Sequence, residues 1–130
     1  MNYELKIIQD VSEKLINAGI PFMITGSVAM NYYVLPRMTR DIDIVIELSL
    51  AEASRFFDLF KDDYYISEDA LKDSIKYYSM FNMINNQSVI KIDCIIRKDD
   101  EFHRNEFKRR KKKKISDFET FYVSLEDLIL

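Results

Sequence analysis

Tryptophan is absent from the 130 residues, and cysteine and histidine occur once each, as Cys94 and His103. A lone cysteine excludes a disulfide within the chain, and without a second histidine or a cysteine cluster there is no zinc site to argue for. Cys94 lies inside an apolar run and reads as a small core residue, while His103 reads as a surface helix residue. This cysteine usage fits a reducing, cytoplasmic setting. No apolar stretch approaches the roughly 20 residues that a bilayer crossing needs, and the opening MNYELKIIQD lacks the basic-then-apolar pattern of a signal peptide, so no membrane partner is expected. Glycine and proline occur only twice each, and no linker, internal repeat or low-complexity segment interrupts the chain apart from one basic run.

What is present suits a single compact domain over residues 1–130, since a chain of this length that is 48% hydrophobic can bury a real core but is short for two. Leu5, Ile8, Val11, Leu15 and Ile16 recur at helical spacing, and Gly19 ends that helix. Pro21 to Thr25 reads as a buried strand, Val28 to Tyr33 as a short helix, and Ile42 to Ile46 as a second strand opened by Asp41. Ser49 and Glu52 form a capping-box signature ahead of a helix over Ala53 to Phe60, whose Phe56, Phe57 and Phe60 form an aromatic core-packing face. Ser67 caps a helix through Ile75. Tyr77 to Ile84 and Ser88 to Arg97 read as strands joined in a hairpin at Asn85, Asn86 and Gln87. A last strand, Phe121 to Val123, precedes Ser124, a cap with Asp127 three residues on.

The chemistry concentrates in carboxylates on strands. Residues two apart on a strand share a face, so Asp41 and Asp43 point one way while Ile42, Ile44 and Ile46 point the other. Two like charges side by side at the start of an apolar element raise each other's pKa, unless a divalent cation between them reverses the repulsion. An oxygen-only donor pair suits Mg2+. Against this stands the plain alternative that the pair lies on an exposed face or in a loop. Asp93 is the only acid in SVIKIDCIIR, residues 88 to 97; it either sits on a solvated face with Lys91 or, as we favour, joins Asp41 and Asp43 on an adjacent strand. Upstream, Gly26 would let backbone approach a ligand, and Ser27 suits the N-cap of a helix whose free N–H groups could hold phosphate.

Gly26-Ser27, thirteen residues, Asp41-Ile42-Asp43 and a later lone Asp93 in a strand together resemble the nucleotidyltransferase superfamily of the DNA polymerase beta type. Within it, TGSVAMNYYVLPRMTRDIDIVI is most similar to small bacterial nucleotidyltransferase-fold proteins, including the toxins of AbiE-like abortive-infection systems and minimal nucleotidyltransferases. FHRNEFKRR and VSLEDLIL extend the resemblance over nearly the whole chain. It implies an α/β (α+β) nucleotidyltransferase fold, a mixed sheet of about four to five strands flanked by helices. It implies that Gly26 and Ser27 hold a nucleoside triphosphate, that Asp41, Asp43 and Asp93 are catalytic and ligate two Mg2+ ions, and that Asp93 also activates an acceptor hydroxyl. Arg37 and Thr39, just before the metal pair, would grip triphosphate oxygens and fix the loop, although Arg37 could equally anchor its own loop. The expected reaction is transfer of a nucleoside monophosphate from an NTP, ATP among the candidates, to a hydroxyl on tRNA, protein or a small molecule.

Two features stand apart. The formal charge of −3 suggests no general affinity for nucleic acid, yet Lys108 to Lys114 reads KRRKKKK. That run either meets RNA phosphates or a triphosphate, or is the solvated end of a helix over Phe102 to Lys112 anchored by Phe102 and Phe107. In similar proteins VSLEDLIL leads into further helices, so the acceptor site is expected to be completed by a homo-oligomer or another partner. The rival reading is an inactive binding module, such as one component of a toxin-antitoxin pair. Three retained acids argue against it, because an unpaired buried acid costs stability.

Overall fold

The computed structural model describes residues 3–25, 41–115 and 117–129. Helix α1, Tyr3–Ala18, buries Ile7, Ile8, Val11 and Leu15 along one stripe, while Ile16 lies at its margin and stays exposed. Gly19 ends it with φ +70°. Its N–H donates to Ile16 O at 3.1 Å and that of Ile20 to Leu15 O at 2.9 Å, a Schellman closure that needs a left-handed residue at this point. Strands β1, Phe22–Thr25, and β2, Asp41–Ile46, follow. A 3-10 turn, Leu50–Glu52, then leads into α2, Ala53–Phe60, with Glu52 accepting hydrogen bonds from both the N–H and hydroxyl of Ser49.

Next come β3, Tyr64–Ile66; α3, Glu68–Tyr77; β4, Met80–Asn85; β5, Lys91–Ile96; α4, Glu101–Lys108; β6, Lys111–Ile115; β7, Phe118–Tyr122; and α5, Leu125–Ile129. Ser67 caps α3 by accepting from Ala70 N, and Asp127 N donates to Ser124 at the start of α5. The β4–β5 hairpin forms where expected, its turn tied by Asn85 Oδ1, which accepts from the N–H groups of Gln87 and Ser88.

The seven strands form one mixed sheet in the order β3-β4-β5-β2-β1-β7-β6, with β2 parallel to β5 and β1 parallel to β7. This is a wider sheet than the four or five strands expected, and both outermost strands explain the difference. β3 is only three residues long, too short to show a period. β6 is built almost wholly of lysine, a poor strand former, and owes its conformation to pairing with β7. The helix expected over Phe102 to Lys112 therefore stops at Lys108, and of its two anchoring aromatics only Phe107 is buried; Phe102 is 64% exposed. Similarly α3 runs on to Tyr77, and Tyr78, with φ 52°, turns the chain into β4.

One face of the sheet carries the core. Ile42, Ile44 and Ile46 alternate with Ile92, Cys94 and Ile96 as buried residues on neighbouring strands. Phe56 of α2 meets Phe60 of the same helix and Phe81 of β4 edge-on at 5.7 Å, while Ser12 of α1 and Thr120 of β7 share a buried hydrogen bond of 2.7 Å. Helices α1 and α2 thus pack on this side. On the other, the alternate residues of β2, β4 and β5 remain half-buried or exposed.

Candidate functional site

The expected carboxylates lie on that opposite face. β2 and β5 run parallel with Asp43 directly beside Asp93 and Asp41 directly beside Lys91. Antiparallel pairing of β4 sets Asn82 next to Asp93, and pairing of β1 sets Thr25 next to Asp43. The result is a row across four strands, Asn82, Asp93, Asp43 and Thr25, with Asp41 and Lys91 one step further along the same face. The period of two dictates this: each strand that commits alternate isoleucines to the core must send its intervening residues the other way.

The electrostatics of the pair are unfavourable as they stand. The Asp93 side chain is 17% exposed, and among the described residues no hydrogen-bond donor reaches its buried Oδ1. Among the described residues the positive charge paired with it is Lys91 Nζ, 3.7 Å from that oxygen, an ion pair but too long for a hydrogen bond. Asp43 has its carboxyl pushed above the usual range, first by burial and then by the charge of Asp93, its side-chain hydrogen bonding with Asp93 and the charge of Asp41; Lys91 opposes these only in part. A buried acceptor with no donor among those residues and an adjacent acid that resists ionisation form an oxygen donor set suited to a hard divalent cation. Among the described residues, no group of three His, Cys, Asp or Glu side chains is gathered tightly enough to hold a metal ion. Asp43 and Asp93 are brought together, whereas Asp41 stands beside them on the exposed start of β2.

Gly26, Ser27, Arg37 and Thr39, and the helix expected over 28–33, lie outside the described residues. Asn82 is a site residue that sequence reasoning passed over. Its signal was available in MFNMIN, where an amide sits at the outward position between buried Phe81 and Met83, but only the strand pairing reveals its neighbour.

No family model and no curated protein sequence matches the chain. Solved structures do. A nucleotidyltransferase assigned without a stated substrate, TM1012 from Thermotoga maritima, superimposes with a TM-score of 0.64 at 16% identity, over 97% of this chain and 80% of its own. The lincosamide antibiotic adenylyltransferase LnuA, solved with lincomycin bound, gives a TM-score of 0.64 at 13% identity, over 99% of this chain and 84% of its own. A CCA-adding enzyme in complex with ATP gives 0.52 at 14% identity, over 95% of this chain and only 28% of the larger enzyme. At such identities the likeness establishes the architecture: the chain has the nucleotidyltransferase fold.

Proposed function

We propose that the protein is a Mg2+-dependent nucleotidyltransferase that moves a nucleoside monophosphate from an NTP to a hydroxyl acceptor. The observation that carries this reading is the apposition of Asp43 and Asp93 on the open face of this fold, with a buried carboxylate oxygen that no donor among the described residues reaches. Asp41, Asp43 and Asp93 would hold Mg2+, two ions in the reading we favour. When bound, Mg2+ would supply the positive charge that neutralises triphosphate and acceptor oxygens.

The chain's own residues divide the remaining work. Asp93 takes the proton of the acceptor hydroxyl, a poor nucleophile near neutral pH. The hydroxyl oxygen forms a bond to the α-phosphorus as the bond from that phosphorus to the bridging oxygen breaks, and pyrophosphate leaves with the electron pair. Asn82, beside Asp93 on β4, orients the acceptor through its amide. Lys91, whose Nζ lies 3.7 Å from Asp93 Oδ1, is the resident cation of the pair and would be free to meet phosphate oxygens if Mg2+ were held there. Gly26, Ser27, Arg37 and Thr39 are assigned the triphosphate by their place in the motif.

The test is incubation of the protein with each α-labelled NTP and Mg2+ in the presence of RNA, protein and small hydroxylated acceptors in turn, with Asp93→Asn alongside. Label carried into one acceptor class by the parent and reduced by about a hundredfold or more in the variant supports the assignment, given that positioned general bases contribute about 10² to 10⁴. Equal transfer by both would remove Asp93 from the mechanism. Absence of NTP binding by the parent would instead favour the binding-module alternative, in which the fold serves a toxin-antitoxin or other protein partner.

A further inference from the structure

The basic run has no role in the carboxylate site, and its fold is a strand at the sheet's edge. β6 pairs with β7 alone and forms the outermost strand on its side. Lys111, Lys112 and Lys114 are exposed along it, and Lys108 is exposed at the end of α4 just before it. Pairing fixes their directions: Lys111 and Lys113 lie opposite Tyr122 and Thr120 on the side of α1, and Lys112 and Lys114 lie opposite Phe121 and Glu119 on the other. Compensation within the fold is slight. Lys112 reaches Glu119 at 3.0 Å and Arg109 reaches Asp127 at 2.7 Å, whereas among the described residues Lys108, Lys111 and Lys114 have no ion-pair partner.

A structural role does not account for this density. Charged side chains, lysine above all, protect an edge strand from pairing with another chain, but lysine after lysine also weakens the strand itself through repulsion and low propensity. Exposed ammonium groups, extended in register along one edge of an otherwise acidic chain of net charge −3, match a linear repeating polyanion. β6 itself carries no aromatic side chain, and on the neighbouring β7 Phe118 and Tyr122 are buried while the half-buried Phe121 lies beneath the Arg110 guanidinium, so no ring on these two strands stands open for a base to stack on. Contacts would go to backbone phosphates and would be indifferent to sequence.

We propose that β6 with Lys108 is a sequence-independent docking edge for nucleic acid, holding the phosphates of a single strand. This stands whether or not the carboxylate face transfers nucleotides. The experiment is fluorescence anisotropy with labelled single-stranded RNA and DNA of mixed sequence across a salt series, on three proteins: the parent, Lys108→Gln/Lys111→Gln/Lys114→Gln, and the charge-matched control Lys61→Gln/Lys72→Gln/Lys76→Gln. The parent and the control should bind both nucleic acids with affinities that fall as salt rises. The edge variant should bind at least about tenfold more weakly in low salt, with a log–log salt slope shallower by about two, since each lost phosphate contact on a single strand removes about 0.7. Matching thermal transitions for the three proteins would confirm that folding is unchanged. Equal losses in the edge variant and the control would reduce the effect to net charge and overturn the proposal. So would undetectable binding by the parent at about 100 µM protein, near the weak limit of non-specific association, or tighter binding to polyglutamate or anionic vesicles than to RNA.

Discussion

At the scale of single residues the decisive fact is that Asp43 and Asp93 stand beside each other and that Lys91 offsets their repulsion only in part. The sign of the consequence can be worked out. The carboxyl of Asp43 titrates higher in the folded chain than its unfolded reference, so between those two values the folded state holds more protons and stability falls as pH rises through them. In metal-free protein the melting temperature should therefore fall between about pH 4 and the raised folded value, and Asp43→Asn should flatten that fall and be the more stable protein at neutral pH. Mg2+ reverses the ranking: at about a hundred times its Kd it should stabilise the parent by about 2.7 kcal/mol and leave Asp43→Asn unmoved. Thermal melts with and without Mg2+ at several pH values check both arms. Lys91→Met tests the resident cation. Melts should show it destabilising the metal-free protein, and calorimetry should show tighter Mg2+ binding because a competing charge is gone; unchanged Mg2+ affinity would leave Lys91 as a surface residue.

At the scale of elements, the strands and helices that carry strong periods hold the core, and their predictions are energetic. Phe56→Ala, at a residue fully buried between α2 and β4, should cost about 3 to 5 kcal/mol in denaturant unfolding. Gly19→Ala should cost about 1 to 2 kcal/mol, because nothing lies within 4 Å of an added Cβ and only the left-handed conformation penalises it. These elements were legible in the sequence for physical reasons: Ile42, Ile44 and Ile46 announce a strand with one buried face, Gly19 a helix end, Ser67 and Ser124 their caps. Asp43 and Asp93 were legible as lone acids in apolar runs, although their adjacency depends on a parallel pairing that no local pattern encodes. β3 and β6 were not legible. A three-residue strand shows no period, and Lys111 to Lys114 form a strand against their own propensity because β7 offers hydrogen bonds. Asn82 escaped notice for a similar reason, since its meaning comes from the neighbouring strand.

At the scale of the whole molecule, the sheet separates two tasks. Its helix-covered face supplies stability, and its other face presents carboxylates at one end of β2 and β5, with a lysine-rich strand at the far edge. The fold is that of nucleotidyltransferases, and the arrangement of acids on its open face gives the proposed chemistry a place to occur. Calorimetric titration of ATP, GTP, CTP and UTP, each with Mg2+, into the parent, Asp43→Asn and Asp93→Asn tests this most directly. The account predicts Mg2+-dependent binding of at least one NTP by the parent, lost in both variants while their folding is retained. Binding that persists without Mg2+, or that survives both substitutions, would contradict it.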